Sequence, residues 1–276
     1  MLRFGGVVTI QSALNYGAQN IDKVLLGRFR GADTLGLYGR AYQLVFMPMT
    51  NTSAAVGWVA FSALSRIQDD PQRYRSYFLK GYSVVVSLVV PILVFAAVFA
   101  DDTVRVVLGA QWTDAALIFQ LLAPAGLVLA LIEAPTYWLL HSLGILGRSL
   151  RITCAFAGVI LVACIAGIPH GATGIAAAYS IAMLLWLVPC LAWCVHGTPV
   201  RLSDLLHTTW RPLLGSAVAS AVASVAVNNF SQPLVRLLLG GVIMCCGYFA
   251  IVWFIFRQRD FYLGLVKDLR LISRKR

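Results

Sequence analysis

The feature that most constrains this chain is a stretch of 49 residues, 152–200, that contains no Asp, Glu, Lys or Arg. An apolar run of about 18 to 25 residues is long enough to span a bilayer as a helix. This stretch has room for two such helices, and residues 167–174 within it, Gly-Ile-Pro-His-Gly-Ala-Thr-Gly, are rich in turn formers. The sequence therefore predicts a transmembrane hairpin that crosses the membrane, turns and crosses back.

The composition extends this prediction to the whole chain. Hydrophobic residues make up 59% of the 276 residues and charged residues only 12%, whereas an average soluble domain has about 25% charged residues. Because membrane crossings and short loops take up most of the chain, few residues remain for a catalytic domain outside the membrane. The sequence thus predicts an all-α, multi-pass integral membrane protein.

Hydrophobic runs along the chain predict about eight transmembrane helices. The predicted helices are 3–27, 35–65, 78–100, 115–141, 149–167, 173–195, 211–228 and 234–256. The first two contain several polar residues, which are costly at membrane depth unless they face other helices or a water-filled cavity. These two helices are therefore predicted to line the interior of the protein.

The distribution of Lys and Arg predicts an orientation. With the N-terminus in the cytoplasm, sixteen of the 22 basic residues fall on cytoplasmic segments and three on the opposite loops. The positive-inside rule then places both termini in the cytoplasm. Residues 258–276 are predicted to form a basic amphipathic tail on anionic lipid. The net charge of +11 follows mostly from this topology, and no nucleic-acid-binding element accompanies it.

The sequence lacks the motifs of several common enzyme classes. Neither a Walker-type nucleotide loop, nor His-Glu-x-x-His, nor Gly-x-Ser-x-Gly occurs. The six cysteines all fall in apolar spans, where Cys packs as a small hydrophobic residue. No catalytic residue, metal site or cofactor is therefore predicted, and the chain is interpreted as a protein other than an enzyme.

Charged residues near the ends of the first two helices form one candidate site. Asp22 and Lys23 lie near the end of the first helix, Arg28 follows, and Arg40 lies one to two turns into the second. Such a cationic group suits phosphate or pyrophosphate, because Arg binds phosphate oxygens in bidentate fashion. The alternative is that Asp22 pairs with Lys23 or Arg40 and that the loop arginines lie among lipid headgroups.

Glu133 is a second candidate. It is the only carboxylate well inside an otherwise apolar run, two residues before Pro135. Burial of a lone carboxylate is costly or forces its protonation. Glu133 is therefore interpreted as a site that couples transport to a proton or sodium ion, with Asp22 as a further candidate. The alternative is that Glu133 only accepts a hydrogen bond from a neighbouring helix.

Three segments resemble a known family. The longest is 20–44, with the sequence NIDKVLLGRFRGADTLGLYGRAYQL, and the others are 107–112 and 171–182. In order and spacing they resemble the bacterial polysaccharide exporters of the Wzx type, within the multidrug/oligosaccharidyl-lipid/polysaccharide flippase superfamily. Such flippases have two six-helix lobes, often followed by two extra helices. The resemblance implies that residues 1–195 form the second lobe and 196–257 two additional helices, without the first lobe.

The resemblance also implies a function. An oligosaccharide linked to undecaprenyl pyrophosphate would be turned over across the bacterial inner membrane, for exopolysaccharide or lipopolysaccharide biosynthesis, through a cavity between the lobes. Lys23, Arg28 and Arg40 would then contact the pyrophosphate, and Asn20 and Gln43 the sugars. Because one lobe cannot rock against itself, a missing lobe, a homodimer or another polysaccharide-assembly protein would supply the other half.

Three other functions stay open on the sequence. A drug or cation exporter of the multidrug branch would use Glu133 or Asp22 to bind cations, although the basic excess near the first two helices favours an anionic substrate. A polysaccharide-assembly enzyme would need a sizeable catalytic loop, whereas the predicted loops reach about a dozen residues. Because the first lobe is missing, a non-transporting membrane scaffold is the third alternative.

Overall fold

The protein is built from α-helices joined by short turns. The structure, a computed structural model, describes residues 2–251, and this part of the chain contains no β-strand. The α-helices are α1 (Leu2–Ala18), α2 (Ile21–Arg30), α3 (Ala32–Ser65), α4 (Pro71–Val98), α5 (Ala100–Val107), α6 (Ala115–Glu133), α7 (Leu140–Ser142), α8 (Leu146–Gly167), α9 (Gly171–Val195), α10 (Leu202–Ala226) and α11 (Pro233–Ala250). The tail predicted at 258–276 lies outside the described residues.

Within the described residues, four helical stretches are long and apolar enough to cross a membrane. They are Pro71–Val98, Ala115–Ser142, Leu146–Val195 and Pro233–Ala250. The third is 50 residues long and contains both α8 and α9, which the short turn Ile168–His170 connects. The predicted hairpin is therefore confirmed, as is the fold class of an all-α membrane protein.

The hairpin closes tightly at two glycines. A Cβ atom on Gly167 would lie 2.7 Å from the carbonyl oxygen of Gly174, and one on Gly174 would lie 2.5 Å from the oxygen of Gly167. Both distances are shorter than a carbon and an oxygen can approach without a bond. The two helices can thus meet this closely only because both positions lack a side chain.

The first predicted helix, 3–27, is divided in the structure. α1 ends at Ala18 and α2 begins at Ile21. Between them the side-chain amide of Asn20 donates to the carbonyl of Tyr16 across 2.8 Å. Asn side chains compete in this way with the backbone hydrogen bonds of a helix, so the polar residues that indicated an interior helix also interrupt it.

The helix predicted at 211–228 begins earlier, at Leu202. The Asp204 carboxylate accepts a hydrogen bond from the backbone N–H of Arg201 across 2.9 Å. A carboxylate in the first turn satisfies an amide that has no helical partner and favours the positive end of the helix dipole. Apolar length alone gave no sign of this polar first turn.

The pair α10 and α11 packs on the rest of the bundle through α4 and α5. Near the start of α4, the Arg75 guanidinium donates to both oxygens of Asp204, at 2.8 and 2.5 Å. At the opposite end, Nε of Arg236 on α11 lies 3.4 Å from the buried Asp102 carboxylate on α5. Ion pairs at both ends of the helices therefore fix the position of the pair.

A third connection between this helix pair and the bundle lies at membrane depth, on α11. Pro91 has no N–H, so the carbonyl of Ser87, four residues earlier in α4, loses its helical donor. The hydroxyl of Tyr248 on α11 donates to this carbonyl across 3.2 Å. The proline in α4 thus creates an acceptor that α11 uses.

Replacement of Tyr248 with Phe is expected to lower the stability of the protein by about 1 kcal/mol, because the Ser87 carbonyl loses a donor while the ring still packs. Unfolding by sodium dodecyl sulfate in detergent micelles would measure the difference. Tyr77→Phe is the control, since the exposed Tyr77 belongs to the same helix, α4, as Ser87. Equal stabilities of the two variants would contradict the assigned hydrogen bond.

Candidate functional site

A cavity of about 350 Å³ lies inside the helical bundle, among α3, α6, α8, α9 and the end of α1. Its wall combines aromatic and aliphatic side chains with a few polar ones. The polar and amphipathic residues of the wall include Asn15, Gln19, Tyr42, Glu133, Thr153 and Trp186. An apolar cavity with a few convergent polar groups is the usual form of a ligand site.

Glu133 enters the cavity wall where α6 changes its winding. The α-helix ends at this residue and continues as a π-helical turn, Ala134–Leu139. Pro135 within that turn deprives the Leu131 carbonyl of its helical donor, and the Tyr82 hydroxyl donates to that carbonyl instead, across 3.3 Å. Such π-helical turns occur frequently at functional sites. Glu133 therefore lies at the junction between the α-helical and π-helical parts of this span, and its role in ion coupling stays a prediction.

Asp22 and Lys23 form a second polar group beside the cavity. The buried Asp22 carboxylate accepts from the Tyr38 hydroxyl at 2.7 Å and from the backbone N–H of Lys23 at 2.8 Å. The Lys23 ammonium donates to Oδ1 of Asn20 at 2.9 Å and lies 3.8 Å from the centroid of the Tyr42 ring. Because Tyr42 also lines the cavity, the positive charge of Lys23 lies at its edge.

The other predicted cationic residues lie apart from this group. The Arg40 guanidinium stacks over Trp112, with its central carbon 5.5 Å from the ring centroid. Arg28, Arg40 and Gln43 are all exposed on the surface of the described structure. The structure therefore brings together Asn20, Asp22 and Lys23 of the predicted set, with Glu133 in the adjoining cavity.

Helical geometry explains why Arg40 points away. Tyr38 and Tyr42 are four residues apart on α3 and share a face, which is the face toward Asp22 and Lys23. Arg40 lies midway between them in sequence, about 200° around the helix at 100° per residue. Its guanidinium is thereby directed away from the cavity.

A buried polar network near the cavity involves residues that sequence reasoning did not connect. Nε2 of Gln11 on α1 donates to the Ser149 hydroxyl at 2.7 Å and to the Thr153 hydroxyl at 3.2 Å, and both hydroxyls belong to α8. Nε2 of His141 lies 3.1 Å from the same Ser149 oxygen. Thr153 lines the cavity, so the network extends from the cavity to His141 and fastens α1 to α8.

The available groups define what the site can do chemically. A carboxylate in an apolar wall and an ammonium at the edge can bind an ion or orient a charged headgroup. Within the described residues, no three His, Cys, Asp or Glu side chains are grouped so that they would hold a metal ion.

Sequence comparison relates the chain to proteins of polysaccharide biosynthesis. Residues 1–117 match the family model of polysaccharide biosynthesis proteins. The lipopolysaccharide biosynthesis protein WzxC of Escherichia coli K12 is 34% identical over 127 residues, which are 46% of this chain and 26% of WzxC. The predicted resemblance to polysaccharide biosynthesis proteins of the Wzx type is confirmed over this part of the chain. The teichuronic acid biosynthesis protein TuaB of Bacillus subtilis 168 is 30% identical over 130 residues, which are 47% of this chain and 27% of TuaB.

Comparison of folds covers more of the chain. The lipid II flippase MurJ, in an inward closed conformation, aligns with 88% of this chain and 53% of its own length, with a TM-score of 0.63 and 14% identity. At this identity the comparison shows a common fold. The chain spans about a quarter of the length of WzxC and TuaB and about half of MurJ.

Proposed function

We propose that this chain is part of a flippase that turns over lipid-linked oligosaccharide repeat units in the bacterial inner membrane, for exopolysaccharide or lipopolysaccharide biosynthesis. The observation that carries the proposal is the cavity with Glu133 in its wall, inside a membrane bundle that has the fold of a lipid flippase. The relatives named for lipopolysaccharide and teichuronic acid biosynthesis support the substrate class.

Within this proposal the substrate is an undecaprenyl-pyrophosphate-linked oligosaccharide, and the cationic residues bind its pyrophosphate. Lys23 lies at the edge of the cavity, whereas Arg28 and Arg40 are exposed. Exposed arginines can enclose a phosphate only when the surface of another lobe or protein faces them. Asn20 and Gln43 are the proposed sugar contacts, and Gln43 likewise needs that second surface.

Glu133 is the proposed site of ion coupling. It lines the cavity, where a proton or sodium ion can reach it. Asp22 is the weaker candidate, because its carboxylate already accepts hydrogen bonds from Tyr38 and from the Lys23 backbone. The bond from Tyr38 instead holds α2 against α3.

The second half of the transport path is proposed to come from another six-helix lobe. Residues 1–195 would then be the second lobe and 196–257 the two additional helices, with both termini in the cytoplasm. The lobe could belong to the same polypeptide, to a second copy or to another polysaccharide-assembly protein. An immunoblot of C-terminally tagged protein separates the first possibility from the others, because a band well above the calculated 30.0 kDa would mean one longer chain.

One observation favours a second candidate function. The cavity wall that contains Glu133 also contains aromatic rings, among them Tyr42, Tyr137 and Trp186. Aromatic faces beside a carboxylate suit organic cations. Export of a cationic drug is therefore the alternative, in which the same cavity binds a positive substrate.

Deletion of the gene from its host is expected to abolish the surface polymer and to leave lipid-linked repeat units on the cytoplasmic leaflet. The measurement is the fraction of repeat units that an external, membrane-impermeant glycosidase can reach. If the protein is a cation exporter, deletion of its gene would instead leave the polymer unchanged and raise the amount of ethidium that the cells retain. Shorter polymer with normal exposure of repeat units would indicate an assembly enzyme, and either of these results would overturn the proposal.

A further inference from the structure

A second site of a different kind opens between α4 and the segment that leads into α10. It is a cleft of about 540 Å³ at one end of the bundle. Its walls include Pro71, Gln72, Arg75, Ser76, Leu79 and Arg201. None of these residues lines the cavity described above, so the proposed transport site does not account for the cleft.

The sequence of α4 sets the depth of the cleft in the bilayer. Residues 81–98 carry no charge, and at 1.5 Å per residue they span about 27 Å, close to the thickness of the hydrocarbon core. The preceding turns of α4 therefore lie among the lipid headgroups. The exposed ring of Tyr77 lies there between Arg73 and Lys80, each with its charge 5.7 Å from the ring centroid, which is typical of a membrane interface.

The cleft presents donors for an anion. A guanidinium has five N–H groups, and Asp204 takes two of those on Arg75, one on Nε and one on Nη2. Asp204 thus fixes the plane of this guanidinium while further N–H groups remain to donate. Arg201 adds a second, exposed guanidinium, so that two positive charges face the single negative charge of Asp204.

The remaining walls suit a lipid better than a free anion. The side chains of Gln72 and Ser76 are exposed and supply neutral donors. Pro71 and Leu79 supply apolar surface along the direction in which α4 enters the membrane. Asp70 precedes the cleft, but its carboxylate accepts from the backbone N–H of Arg73 across 3.0 Å as the cap of α4.

We propose that this cleft binds the phosphodiester headgroup of an anionic phospholipid, with the phosphate on Arg75 and Arg201 and the first part of the acyl chains along Leu79. The bound lipid would join α4 to the start of α10, beside the Arg75–Asp204 ion pair. It would therefore strengthen the attachment of the α10 and α11 pair to the rest of the bundle.

Native mass spectrometry of the purified protein, titrated with phosphatidylglycerol, tests this site. Arg201→Gln is expected to weaken retention of the lipid by at least about tenfold, since a charged hydrogen bond to phosphate is lost. Arg66→Gln is the matched control, because exposed Arg66 follows α3 and does not line the cleft. Ser76→Leu, which fills the cleft without changing its charge, is expected to weaken retention as well.

The outcomes that would overturn the proposal are distinct. Equal losses for Arg201→Gln and Arg66→Gln would show diffuse attraction of anionic lipid to a basic surface. Unchanged retention by Ser76→Leu would show that the cleft is not occupied. Displacement of the lipid by an equal concentration of soluble glycerol phosphate would identify a site for free phosphate.

Discussion

A Glu133→Gln variant is expected to fold normally and to flip repeat units about tenfold to a hundredfold more slowly. This factor corresponds to the coupling free energy that typically links two binding sites, here the ion site and the substrate site. Gln keeps the size of the side chain and its ability to form hydrogen bonds, but it cannot ionise. If an ion at Glu133 drives the movement of the helices, the variant retains the cavity and loses the driving step. The proposed function and this prediction therefore depend on the same carboxylate.

The measurement is the rate at which lipid-linked repeat units become accessible at the outer leaflet, in cells that express the protein together with its second half. Asp114→Asn is the control, because it makes the same carboxyl-to-amide change just before α6, where Asp114 is exposed. We expect the control to export at the wild-type rate. Wild-type export by Glu133→Gln would remove Glu133 from the mechanism, whereas equal losses in both variants would point to a general effect of charge.

The spans were predictable because membranes impose a simple rule. Backbone groups in lipid must be satisfied within the segment, so a charge-free run of sufficient length has to be a helix. This rule predicts the hairpin at 152–200. It also makes Glu133 stand out, because Glu133 is a carboxylate inside an otherwise apolar run. It gave no sign that α10 begins at Leu202, since the first turns of α10 are stabilised by Asp204 and lie among polar residues.

The polar contacts around the site depend on pairings that a single sequence does not contain. Polar residues in the first helix indicated that it faces the interior, and Gln11 is indeed only 2% exposed. Its partner Ser149 is 138 residues away, and only the packing of α1 on α8 brings the two together. The direction of Arg40, in contrast, follows from helix periodicity alone. Its position between Tyr38 and Tyr42 excludes it from the helix face that those two residues share.

The strongest prediction about stability concerns the turn of the hairpin. Gly167→Ala is expected to destabilise the protein by about 3 kcal/mol, near the upper end of the usual range for overpacked sites. The added methyl group would lie 2.7 Å from the Gly174 oxygen and equally close to Cα of Ile175. These are backbone atoms, so relief requires α8 and α9 to separate rather than one side chain to rotate.

Gly158→Ala provides the matched comparison, since it makes the same change in the same helix at a position with no atom within 4 Å of the new methyl group. There the substitution should be neutral or stabilising by up to about 1 kcal/mol, because Ala is the better helix former. Thermal unfolding in micelles would be followed with a thiol-reactive fluorescent dye. Its fluorescence would rise further as unfolding exposes the buried thiols of Cys164, Cys190 and Cys194. If both variants unfolded at the same temperature, the closeness of α8 and α9 at Gly167 would not be a requirement of the fold, and the hairpin would tolerate a wider turn.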